Sequence, residues 1–131
     1  MLNSLLLQLL LLLSIVSASH IHDISINLAQ PNGLKFKCLA SGDVHYVRLH
    51  NKENYTIVQS QNDGYYYFAK KVNDIIVPSE YRADQPLPLE AQIQPNVRIT
   101  TTEYQRRKKL YWTNANRMDA PTTGTINNIN I

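Results

Sequence analysis

From residue 20 to residue 113, apolar side chains recur at every second position between short clusters of turn-forming residues, the rhythm of half-buried strands and not of helices. Ile24, Ile26 and Leu28 alternate with Asp23, Ser25 and Asn27 as far as Gln30-Pro31-Asn32-Gly33, where proline fixes φ and Asn-Gly accepts the positive φ of a tight turn. Leu34, Phe36 and Cys38 then oppose Lys35 and Lys37, so the first two strands are expected to form a hairpin. Val44 to Leu49, Tyr55 to Gln59 and Tyr65 to Val72 continue the series, separated by Asn51-Lys52-Glu53-Asn54 and Gln61-Asn62-Asp63-Gly64, and Asn73-Asp74 punctuates before Ile75-Ile76-Val77.

From Pro78 to Pro88 the alternation lapses, which predicts a long loop or crossover. Leu89, Ala91 and Ile93 resume it, Val97, Ile99 and Thr101 face away from Arg98, Thr100 and Thr102, and a last strand is expected through Leu110 and Trp112. Turns at intervals of roughly ten residues predict an all-β domain over residues 20–113, an antiparallel β-sandwich or alternatively a small β-barrel. Residues 114–131, rich in Asn and Thr with only isolated isoleucines, are expected to form a flexible tail.

The first nineteen residues change how the rest is read. Leu5 to Val16 is an apolar run broken only by Gln8 and Ser14, it carries no charge, and Ser17, Ala18 and Ser19 supply the small residues of a cleavage site. A spanning helix needs about 20 apolar residues, so residues 1–19 are expected to be a removed signal peptide and the mature protein to be secreted. Removing nineteen of 131 residues leaves 112, enough for one domain and no more. Cys38 is the only cysteine, which excludes an intrachain disulfide framework. Its place on the face of Leu34 and Phe36 predicts a buried small hydrophobe, with an intermolecular disulfide or reactive thiol as the alternative.

The net charge of +3 is too small for a dedicated nucleic-acid binder, and it belongs wholly to the chain after residue 19. The one cationic run, Arg106-Arg107-Lys108-Lys109, lies between Tyr104 and Tyr111-Trp112. It reads as a surface for an acidic glycan or phosphate, a dibasic processing site, or a nuclear address in a secreted effector acting inside another cell, against the plainer alternative of a solvated hairpin turn or protected edge. In the run Tyr65-Tyr66-Tyr67-Phe68 neighbours must point to opposite faces; Tyr66 and Phe68 with Val72 suit the core, and Tyr65 and Tyr67 then stand outward as anchors for a partner.

Asn54-Tyr55-Thr56 is an N-glycosylation sequon at the start of a strand. Cleavage after Ser19 would leave His20 at the amino terminus with His22 two residues on, an arrangement suited to Cu(II), whereas cleavage after Ala18 would spoil it. His45 and His50, five apart in a strand, fall on opposite faces and read as surface histidines outside any zinc pattern. There is no Gly-x-Ser-x-Gly elbow, no cysteine in a catalytic context, and, with four glycines in the chain, little scope for a phosphate-cradling loop. The expectation is therefore a non-enzymatic binding protein without cofactor or metal, recognising a protein or an acidic glycan through Tyr65, Tyr67, Arg106, Arg107, Lys108 and Lys109.

Overall fold

The structure, a computed structural model, describes residues 19–118; all but Ser19 of the expected leader, and residues 119–131 of the expected tail, lie outside them. Six strands follow in order: β1 (Ile21–Ala29), β2 (Lys35–Gly42), β3 (Val47–His50), β4 (Thr56–Gln59), β5 (Tyr66–Val72) and β6 (Ile75–Arg82). Each pairs antiparallel with the next, so the sheet is a meander whose spatial order is the chain order. The connections have the chemistry that their sequences announce. Gly33 at φ 85° lets the chain return after Pro31, and Asn73 and Asp74, at φ 48° and 64°, form the two-residue turn that matches the twist of a hairpin. Gly42 is required for a different reason: a Cβ there would stand 2.0 Å from the carbonyl oxygen of Tyr46.

The described residues hold one open sheet and one helix, α1 (Thr101–Met118), and no second sheet. The expected sandwich is therefore corrected, and the barrel does not close, since β1 and β6 are unpaired edges. The side chain of Gln30, just past β1 and 2% exposed, spans the gap instead. Its Oε1 accepts from the Tyr66 amide at 2.8 Å, and its Nε2 donates to the Tyr66 carbonyl at 3.1 Å and to the Asp84 carboxylate. A carboxamide has the donor and acceptor of a peptide group, and here it stands in for one.

Residues 83–100 form an irregular segment where two further strands were expected, and its first part, through Ile93, covers the inner face. Ile93 is 8% exposed and joins Cys38, Ile57 and Phe68 in the core, with Ile26, Leu28, Phe36, Leu49, Tyr66 and Leu87 around them, whereas Leu89 is fully exposed. The segment is held by the Asn96 amide donating to the Asn54 carbonyl at 2.8 Å and by the Thr56 hydroxyl donating to the Val97 carbonyl at 2.6 Å. The expected loop from Pro78 begins too early: Pro78 to Arg82 complete β6, where an edge strand tolerates a residue with no N–H to give. Val72, placed in the core by alternation, is 46% exposed because it ends β5 at the hairpin tip, paired across the Asn73-Asp74 turn with the likewise uncovered Ile75.

The last expected strand, through Leu110 and Trp112, is helix, as are residues 114–118 of the expected tail. Thr100 caps it, its hydroxyl accepting from the Glu103 amide at 3.2 Å. From Glu103 to Trp112 there is no β-branched residue to oppose the helix.

Cys38 is buried and free, and burial pushes its thiol up to about 11. At pH 8 it is expected to resist a disulfide-exchange reagent in the native protein, with labelling across a urea series following global unfolding; prompt stoichiometric labelling of native protein would refute its burial. Ile93→Ala is expected to cost about 2–4 kcal/mol in urea unfolding although no strand contains the residue, and Leu89→Ala less than about 0.5 kcal/mol.

Candidate functional site

The β2–β3 corner positions α1. Asp43 organises it, one carboxylate oxygen accepting the amides of His45 at 2.8 Å and Tyr46 at 3.1 Å and the other the Tyr104 hydroxyl at 2.6 Å. Burial alone would raise the Asp43 carboxyl, but the bonds from Tyr104, His45 and Tyr46 outweigh it and hold the group below its ordinary value. The His45 ring packs edge-on against Tyr104, at 5.9 Å between centroids, and Tyr111, at 5.0 Å, with Trp112 tilted beside it at 6.4 Å. Arg107 lies over the Tyr46 ring at 5.3 Å. Residues 104, 107 and 111 share one helical face, and that face is the one held to the sheet.

The cationic run is thus helical, and the alternative of a hairpin turn is corrected. Its members are not equivalent. Arg106 forks onto Glu103 with two bonds of 2.7 Å, and Arg107 reaches the same carboxylate at 2.8 Å. These bonds, the Arg106 one first, bring Glu103 down to about 2. Lys108 and Lys109 are exposed and form no ion pair among the described residues. Leu110, Tyr111 and Trp112 are 47%, 43% and 54% exposed. Residues 19–100 contain eight Lys/Arg and eight Asp/Glu, while α1 contains five against one. The sheet is electrically balanced, and the helix carries the excess.

Tyr65 and Tyr67 stand apart from that helix. Tyr67 donates to Asp63 at 2.7 Å, and Arg82 lies over the Tyr65 ring at 4.7 Å. Both are half-buried, and Tyr66 and Phe68 take the core side. Arg106 and Arg107 line a cleft with Asn73, Asp74, Ile75 and Ile76 at the far end of β5, and the six residues from Tyr67 to Asn73 span about 20 Å of strand. The structure does not join the tyrosines and these two arginines into one face. Asn54 sits at φ 70° in the β3–β4 turn, half-buried, with its Oδ1 accepting from Arg48.

A polar cluster that the sequence did not disclose lies on the outer face of β1 to β4. Arg48, 4% exposed, donates from Nη1 to Thr56 Oγ1 at 3.1 Å and to the Asn54 carbonyl at 3.3 Å, while its buried Nε has no partner among the described residues. Asp23, at φ 51° in a bulge of β1, turns its carboxylate to His22 Nδ1 at 3.1 Å, His50 Nε2 at 3.3 Å and the Ser41 hydroxyl at 3.1 Å. His50 is 4% exposed and His45 half-buried, so the reading of both as surface histidines is corrected.

The His50 Nδ1–H donates to the Asn51 carbonyl at 2.9 Å, and Ser41 Oγ lies 2.9 Å from Nε2. A hydroxyl on an imidazole whose other nitrogen is fixed is the geometry of nucleophile activation. Here Asp23 competes for the hydroxyl, its carboxylate accepting from Ser41 Oγ at 3.1 Å and its amide donating to the same oxygen at 2.9 Å, so the hydroxyl is engaged in pinning the bulge. Among the described residues no group of three or more His, Cys, Asp or Glu is arranged to hold a metal, His20 and His22 included. No described helix is long and apolar enough to cross a membrane. In comparisons with known proteins, the chain matches no family model, no curated protein and no solved structure.

Because Glu103 titrates in α1 at about 2, below its usual 4.5, its contribution to the helix is complete above pH 4.5 and is lost as pH falls towards 2. Helical ellipticity is expected to decline over that interval in the wild type, and Glu103→Gln to lower it at pH 7 and flatten the decline. Equal acid profiles in the two proteins would refute the role of the fork.

Proposed function

We propose that this chain is an exported, non-enzymatic binding protein that meets an acidic glycan along the exposed face of α1. The observation that supports it is the concentration of the positive excess on one helix, with Lys108 and Lys109 free of ion pairs among the described residues and with Trp112, 54% exposed, three and four positions on from them. Cations draw the polymer in and set its register, and partly desolvated aromatic rings stack on sugar faces and slow its release. A processing site fits this helix poorly, since a protease takes an extended chain and α1 would have to unwind. Export, and a glycan on Asn54, belong to the same proposal. Tyr65 and Tyr67 serve it as a separate contact for a long partner and not as part of the helix face.

A protein partner is the second reading, favoured by Val44 and Val47, 61% and 44% exposed near the same corner. The two diverge in salt dependence and in which substitution matters. For a glycan, Lys108→Gln with Lys109→Gln is expected to weaken binding to a heparin fragment about tenfold, at roughly 0.5–1 kcal/mol for each exposed charge, and to lower the salt needed for elution. Trp112→Ala should weaken it further while leaving the melting temperature in place. Elution unchanged by the double substitution would overturn the glycan reading.

A further inference from the structure

Two adjoining clefts of about 250 and 230 Å³ open on either side of Arg48 and Arg98, sharing His20, Ser41 and Gly42 in their walls. The first is completed by Thr100, Thr101 and Tyr104 at the start of α1, the second by Asp23, His50 and Lys52. Arg48 is a buried cation with no carboxylate within ion-pair distance among the described residues; its three bonds go to neutral acceptors, and its Nε has none. A buried charge without an opposite is costly, and native proteins rarely leave one uncompensated.

The carboxylates that line these clefts are occupied elsewhere. Asp23 is shared by Ser41, His22 and His50, and Asp43 by Tyr104 and two backbone amides. Burial, and after it the charge of Arg98, hold the Arg48 guanidinium below its ordinary value, a repulsion that an anion between the two would relieve. Arg98 is exposed and uses Nε on Asn96 at 2.7 Å, which leaves its terminal nitrogens for a ligand. The start of α1, Thr101, lines the same cleft, and the first amides of a helix have no acceptor within it and carry the positive end of its dipole; that of Glu103 is taken by the Thr100 hydroxyl.

We infer that the cleft between Arg48, Arg98 and the amino-terminal turn of α1 is a binding site for a tetrahedral oxyanion, the sulfate or phosphate monoester of a larger ligand. The donors converge from three elements, β3, the segment before α1 and α1 itself. That arrangement suits three or four oxygens around a centre better than the two coplanar oxygens of a carboxylate. The site stands independently of the cations at 106–109 and would hold even if these bind nothing.

The test is a titration of the full chain with inorganic sulfate and, separately, phosphate, followed by amide NMR shifts at constant ionic strength with chloride as the reference anion. Saturable shifts are expected at Gly42, Arg98 and Thr101, and Arg98→Gln, a change at an exposed side chain, is expected to weaken binding about tenfold, as for loss of one charge-assisted contact. Lys35→Gln, on an exposed residue outside the cleft, should bind as the wild type does. N-acetylglucosamine 6-sulfate and its 6-phosphate counterpart then distinguish the two sources of the group. Shifts that do not saturate, or equal affinity in Arg98→Gln and the wild type, would overturn the inference. Lys108→Gln with Lys109→Gln should leave these shifts intact, so the site and the helix face can fail separately.

Discussion

A six-stranded sheet whose two edges never meet must have its concave face covered by something other than itself, and in this chain the cover is a stretch with no ladder of its own. Residues 83–100 supply Ala83, Leu87 and Ile93 to that face and are clasped at their far end by Asn96 on Asn54 and by the Thr56 hydroxyl on Val97. No disulfide helps, since the one cysteine is buried as a small apolar group. The clasp matters beyond the core. It fixes Val97, and with it the next three residues, Arg98, Ile99 and Thr100, which decide where α1 begins and what its first turn faces.

The meander was legible because each strand up to Val77 carries its own signal: two-residue alternation inside, and Pro31, Gly33, Gly64 or Asn73-Asp74 at the ends. The cover was misread for a physical reason. Leu89, Ala91 and Ile93 alternate as a strand would, but alternation records only that every second side chain is apolar, and Leu89 points to water while Ile93 is buried. The helix did have a local mark: Thr100 followed three positions later by Glu103 is the pattern of a capped start, and it outweighs the few alternating apolar residues that follow.

The cationic run was visible as a run, but its division of labour was not. Whether a cation neutralises a neighbour or remains available depends on the helical repeat, which sets Arg106 and Arg107 three and four positions from Glu103 and leaves Lys108 and Lys109 outside that reach. Arg48 could not have been found at all from its neighbourhood in the chain. Between Val47 and Leu49 it reads as an ordinary outward residue of a strand, and only the turn at Asn54 and the return of Asn96 and Val97 bury it.

The unpaired edge of β1 also explains how Asp23 comes to be where it is. In a closed barrel every strand is bonded on both sides, so an extra residue would have to be accommodated by two neighbouring ladders at once. β1 answers to β2 alone. Its outer border can buckle between Ile21 and Ile24 without disturbing a second register, and that slack lets a left-handed aspartate swing under the sheet to meet Ser41 and His50. Incomplete closure is thus the source of the local freedom from which the polar cluster is assembled.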